Sequence, residues 1–213
     1  MEHAIVLSDF DEAEHRLAQL DLTRAAFIDA VTQGHLRRSY LTRNHPPIYH
    51  GIVMWGEIVA ALRERLSPLG WFRREPDVYP LTANEEQCMA IVVASGDEHT
   101  GNPHDTPSTR SQKGRNTVQA VAVNINLDLF PECLPKQDET DSRESTWLLL
   151  HHTDGARKEI RIELSRPADI GGGKITAWSE RILLGSIPLG DDWVDLVPAD
   201  APDIDFEIHR KVS

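Results

Sequence analysis

Five potential metal ligands crowd into nine residues of this chain, in Asp97-Glu-His99 and His104-Asp105. Imidazoles and carboxylates are the donors that zinc, manganese or iron take, and a metal held there would activate water for hydrolysis. Asp97, His99, His104 and Asp105 are the candidate ligands. Lys113 and Arg115 farther along have the charge to meet phosphate oxygens, so the group sketches a metal-dependent phosphoesterase or nuclease. The spacing is not a known metal motif: no His-Glu-x-x-His is present, and Asp, Asn, Gly and Pro are ordinary turn formers.

The same loop supports a second chemistry. Ser95-Gly-Asp and Thr100-Gly-Asn could form anion-holding backbone nests, with Thr106, Ser108, Thr109, Arg110, Ser111, Lys113 and Arg115 nearby. Amides and hydroxyls at the end of a buried strand are a usual place to hold a nucleotide or phosphate. Neither a P-loop nor a dinucleotide fingerprint is present. The candidate ligand-binding set is Asp97, Glu98, His99, Thr100, His104, Asp105, Arg110, Lys113 and Arg115. A restriction-type nuclease would want Glu-x-Lys on a strand, but Arg161 and Ser165 follow Glu159 and Glu163 at that spacing. Glu159, Arg161 and Glu163 instead read as the wet face of a half-buried strand.

The elements that must position this loop are legible on both sides of it. Met89-Ala-Ile-Val-Val-Ala94 is apolar on both faces and predicts a central strand over 88–95. After the loop, Val121, Val123, Ile125, Leu127 and Leu129 alternate with polar or small residues, which predicts a strand ending near Phe130-Pro131. Val118, Val121, Ile125 and Leu129 also fit a helical face, but the alternation is the longer pattern. Two runs, 146–152 and 157–164, flank Thr153-Asp-Gly-Ala156 and predict a hairpin. A two-residue turn at Asp154 and Gly155 sets Leu149 opposite Ile160, and Trp147 opposite Ile162. Gly-rich 170–173 leads to a further strand over 174–184, and a short strand is expected near 206–208. Residues 132–145 and the acidic run 188–205 are expected as loops.

The N-terminal third is helical by pattern. Ser8 with Asp11 and Thr23 resemble N-caps, predicting one or two helices up to about Tyr40. Pro46 and Pro47 mark a turn, after which Trp55, Ile58, Val59, Leu62 and Leu66 form one face of a helix over 51–66. The long, proline-containing connection and the absence of Arg, Gln and Asn at the helix starts argue against a DNA-reading helix-turn-helix. Residues 71–87 read as an irregular connector. Trp55 and Trp147 are assigned to the core, and Trp71 and Trp193 are candidates for a partner surface. Cys88 and Cys133, without Cys-x-x-Cys spacing, read as reduced, partly buried thiols.

The expected architecture is α+β: a single domain over 1–213, with a helical subregion (1–70) packed on a mostly antiparallel sheet formed by the sheet-rich subregion (88–213). The 34 acidic against 22 basic residues, a charge of −12, argue against broad attraction to nucleic acid, leaving only local contact. No signal-like N-terminus or long apolar run appears, so a bacterial cytoplasmic location and no membrane contact are expected. Lacking an assembled catalytic constellation, the chain reads first as a binding or accessory subunit engaging a protein partner, a nucleic-acid-handling enzyme being one candidate, rather than as an enzyme. The alternatives are the phosphoesterase or nuclease with a divalent metal as its cofactor, and a nucleotide or phosphate-ligand sensor using the 95–115 loop. Sheet edges and the apolar helical face are each able to support a homo-oligomer.

Overall fold

The computed structural model describes residues 4–129 and 144–190. The expected strand at 206–208, most of the 132–145 and 188–205 loops, Trp193 and Cys133 lie outside them. The fold is α+β, with N-terminal helices packed against a largely antiparallel sheet. The elements run β1 (Ile5–Leu7), α1 (Phe10–Gln19), α2 (Arg24–Ser39), α3 (Pro47–Leu66), β2 (Phe72–Arg74), β3 (Leu81–Asn84) and β4 (Met89–Ser95). They continue with α4 (Arg115–Leu129), β5 (Ser145–Asp154), β6 (Glu159–Gly171) and β7 (Lys174–Pro188). The strands form one sheet of order β1-β7-β6-β5-β4-β3-β2, in which β1 with β7 and β4 with β5 are parallel.

Local chemistry explains the helix starts. Asp9, and not the expected Ser8, caps α1, its carboxylate accepting from the Asp11 and Glu12 amides at 3.0 and 3.2 Å. Thr23 caps α2. Pro46 takes the N-cap position of α3 and Pro47 its first turn, where a missing N–H costs nothing, so the helix begins four residues before the expected start. Helices α1 to α3 cover one face of the sheet. Leu17, Phe27, Val31, Ile58 and Leu62 pack there against Ile91, Trp147, Leu149, Ile162 and Leu164. At Gly34 the contact is too close for a side chain, since a Cβ would stand 2.4 Å from Ile58 Cγ1.

The segment 121–129 corrects the sequence reading: it is the second half of α4, not a strand. Topology decides this, because parallel neighbours β4 and β5 require a crossover connection and a helix provides one. Within α4, Thr117, Val121 and Asn124 fall on one buried face. Asn124 Nδ2 donates to the Thr146 and Pro167 carbonyls at 2.8 and 3.1 Å, and its Oδ1 accepts from the Thr146 amide at 2.9 Å. Asn124 therefore sits inside, whereas the alternation pattern counted it as an outward polar residue. Helix α4 lies on the opposite sheet face from α1–α3, with Val121 packed among Leu148, Leu150, Ile175 and Trp178.

The β5–β6 hairpin forms as expected but in a different register. Asp154 pairs with Glu159 and Leu149 with Leu164, leaving four turn residues, 155–158, with Lys158 at φ 51°. The slip moves each partner by four positions, an even number, so the inward face stays the same. The 71–87 connector contains β2 and β3. Trp71 is buried at 2% exposure in the main core, against the surface role expected for it, and Cys88 is exposed.

Candidate functional site

The loop that leaves β4 divides into two parts with different surroundings. In residues 96–109, Asp97 accepts from two backbone amides, His99 N at 3.1 Å and Ser108 N at 2.9 Å, which makes it a turn-shaping residue. Glu98 is exposed and presents its carbonyl to Arg161 Nη2 at 2.8 Å. His99 Nδ1 lies 3.5 Å from Asp105 Oδ2, at the surface. Thr100 is buried under Gly96, and exposed His104 has its amide bound by Asn102 Oδ1 at 3.1 Å. Asp105 Oδ2 accepts from Asn102 Nδ2 at 2.5 Å.

Beneath this part lies a charged network on β6 and β7. Glu163, fully buried, pairs with Arg181 at 2.6 Å and also accepts from Ser165 Oγ at 2.7 Å and the Gly101 amide at 2.8 Å. Arg181 donates onward to the Asp105 and Asn102 carbonyls at 2.7 and 3.1 Å. Trp178 Nε1 holds the Pro107 carbonyl at 2.7 Å, and Ser108 Oγ donates to the Ile175 carbonyl at 2.7 Å. The expected wet face of Glu159, Arg161 and Glu163 is corrected in part: Arg161 and Glu163 are buried and bind the Glu98 carbonyl and the Gly101 amide of the loop, while Glu159 stays partly exposed, 3.8 Å from Arg161. Among the described residues no three of His, Cys, Asp or Glu converge where an ion could sit.

His151 and His152, the imidazoles nearest this loop, lie apart from such a constellation. His152 Nδ1 stands 3.2 Å from the Gly96 carbonyl, and burial lowers its pKa against the raising effect of that contact. His151 pairs in register with Ser95 and is 6% exposed. Burial, and then the charges of Arg38, His152 and Lys113, push its pKa down to about 3, so it is neutral at physiological pH.

Residues 111–114, 116 and 117 line a cavity of about 500 Å³ instead. The cavity exists because β3 pairs only with Met89–Ile91, leaving the Val92–Ser95 edge of β4 without a continuing strand. Around that edge, α3 contributes Ile48, Ile52 and Trp55, residues 77–80 form a strap, and Ser111, Gln112, Lys113, Gly114, Asn116 and Thr117 form a polar wall. The strap carries two consecutive non-glycine residues at positive φ, Asp77 at 48° and Val78 at 64°. For a β-branched valine this is a costly conformation, of the kind that concentrates at ligand clamps. Tyr79 Oη meets Thr117 Oγ1 at 3.2 Å, tying the strap to the start of α4.

Of the nine candidate binding residues, only Lys113 lines this cavity, where it is 9% exposed. Arg110 and Arg115 flank it in sequence and are exposed. Sequence reasoning missed the α3 and strap walls, because nothing local in 48–55 or 77–80 signals a pocket. One available signal was the run 106–127, which holds Arg110, Lys113 and Arg115 and no acid in a chain of net charge −12. No protein-family model, curated protein or solved structure matches this chain.

Proposed function

We propose that this chain is a ligand sensor that holds a small molecule at the junction of β4 and α4. The observation that carries the reading is the cavity of about 500 Å³, within the size range of small-molecule sites. Its position supports the same reading. It lies along the carboxyl-terminal half of the parallel strand β4 and beside the start of the crossover helix, where backbone amides and the helix dipole favour an anionic group. The reading takes precedence over an accessory subunit because it rests on a built feature, and over metal-dependent hydrolysis because Asp97 and Asp105 are occupied in shaping their own loop.

A thermal-shift panel of nucleotides and other phosphate compounds tests it. A ligand at one hundred times its Kd adds about 2.7 kcal/mol, which raises Tm by roughly 5–10 °C in a chain of this size. That rise should shrink in Lys113→Met. If no panel member shifts Tm, or Lys113→Met responds as the wild type does, the sensor reading fails.

A further inference from the structure

Resting on the sensor reading of that cavity, we infer that the main chain of Val93 recognises the ligand, and that the ligand is a planar heterocycle carrying a hydrogen-bond donor and an acceptor side by side on one edge, as a purine does. The main-chain groups of β4 point alternately to its two sides. Gly96 N donates to the His151 carbonyl of β5 at 3.0 Å, whereas on the other side the Ser95 carbonyl accepts from the Arg110 amide at 2.9 Å and Asp97 N donates to the Ser108 carbonyl at 3.0 Å. Odd-numbered residues therefore turn their N–H and C=O away from β5. Of these, Ile91 faces Thr82 of β3 and Ser95 is met by the loop, while Val93, between them, lines the cavity. The register of β3 and β4, carried on along both strands, sets Pro80 opposite Val93, and a proline has no N–H to give to the Val93 carbonyl. Among the described residues no strand or loop closes this gap.

Val93 as a whole is 3% exposed, so its outward N–H and C=O are withdrawn from bulk water, where main-chain groups need partners. A molecule offering an acceptor to the N–H and a donor to the C=O supplies both at once. The open stretch is a single residue long, too short to seat an added peptide strand, and a cavity of about 500 Å³ is far larger than one water needs. The surroundings set the shape of what fits. Ile52 and Trp55 of α3 close the cavity from the sheet face that α1–α3 cover, and Gly114 and Thr117 at the start of α4 close it from the opposite face. A flat ring between them lies in the plane of the sheet, its edge toward Val93, in the place that β3 would fill if it ran on. The strap, with Asp77 and Val78 at positive φ, carries the chain out of that place.

Amide NMR with two uncharged purines tests this: 2-amino-9-methylpurine, whose amino group and neighbouring ring nitrogen form a donor–acceptor edge, and 2-dimethylamino-9-methylpurine, in which the donor is blocked. The wild-type protein should bind the first at one per chain and roughly tenfold more tightly than the second. Its binding should move the Val93 amide proton downfield, while those of Val92 and Ala94, which point to β5, stay in place. Ile52→Trp, which fills the cavity, should abolish binding of both, with the unchanged amide signals of β5 and β6 reporting an intact sheet. If the two purines bind alike, or the first binds without moving the Val93 amide, the inference falls while the cavity stands as a ligand site. If neither binds, the inference also falls, and the thermal-shift panel alone decides the sensor reading. If binding survives in Ile52→Trp, the purine sits elsewhere and the inference falls together with the pocket reading.

Discussion

The two parts of the loop between β4 and α4 contrast sharply, although one continuous polar stretch encodes both. Residues 96–109 rest on a buried charge network and are fixed by side chains that donate to, or accept from, their backbone. Most of residues 111–117 instead line a cavity. A stretch rich in His, Asp and Glu is thus used as architecture, while the plainer stretch beside it, with one lysine and a few hydroxyls, faces open space. Chemical richness in a sequence marks where polar groups are needed, and holding a loop down is one such need.

The contrast can be broken hardest at Glu163. Glu163→Gln leaves the Arg181 guanidinium buried without its counter-charge and should cost about 3–5 kcal/mol, read as a drop in the urea midpoint. Ligand affinity per folded molecule should change far less; an equal loss of both would mean that the two parts of the loop are one unit.

The acid limb of stability tests the floor shared by both parts. His151, at about 3 in the folded chain against its usual 6.5, stays neutral when folded and takes up a proton on unfolding. Its contribution is complete above about pH 6.5 and is lost as pH falls toward 3, amounting to about 2 kcal/mol by pH 5. His151→Asn should flatten this limb between pH 6.5 and 5, and parallel curves for variant and wild type would refute the assignment.

Gly101→Ala is a milder probe of the clamped part. Its φ of 74° and a Cβ only 2.9 Å from Arg161 Cβ predict a loss of about 1–2 kcal/mol. At the small end, His99→Ala and His104→Ala should each alter stability by less than about 0.5 kcal/mol. Neither should alter binding, whereas Lys113→Met should. A matching loss of binding in His104→Ala would merge the regions that the structure separates.

How much of this was legible in the sequence depended on whether the signal was local. Caps at Thr23 and at the Asp-rich start of α1, the apolar face of α3, the uniformly apolar β4 and the Asp-Gly hairpin all report neighbours close in sequence, and each element is present. Val121 to Leu129 alternates as well as any strand, and what makes it helical is the parallel pairing of β4 with β5, a relation between residues 56 apart. Trp71 looked exposed because it stands in an irregular stretch, yet α3 and the sheet enclose it. The same holds for the site: Lys113 was named from its charge, but the α3 and strap residues that give it a cavity are distant in sequence.

The pairing of β1 with β7 has a bearing on how the chain acquires its fold. Ile5 to Leu7 lie beside Glu180 to Ile182, so β1 finds its partner only after some 170 further residues have been made. The β5–β6–β7 meander can close within itself, whereas β1 must wait, and pulse-labelled hydrogen exchange should find the meander protected first. Until β1 docks, β7 presents an unpaired edge, and that interval is when a folding chain of this kind is most open to pairing with another copy of itself.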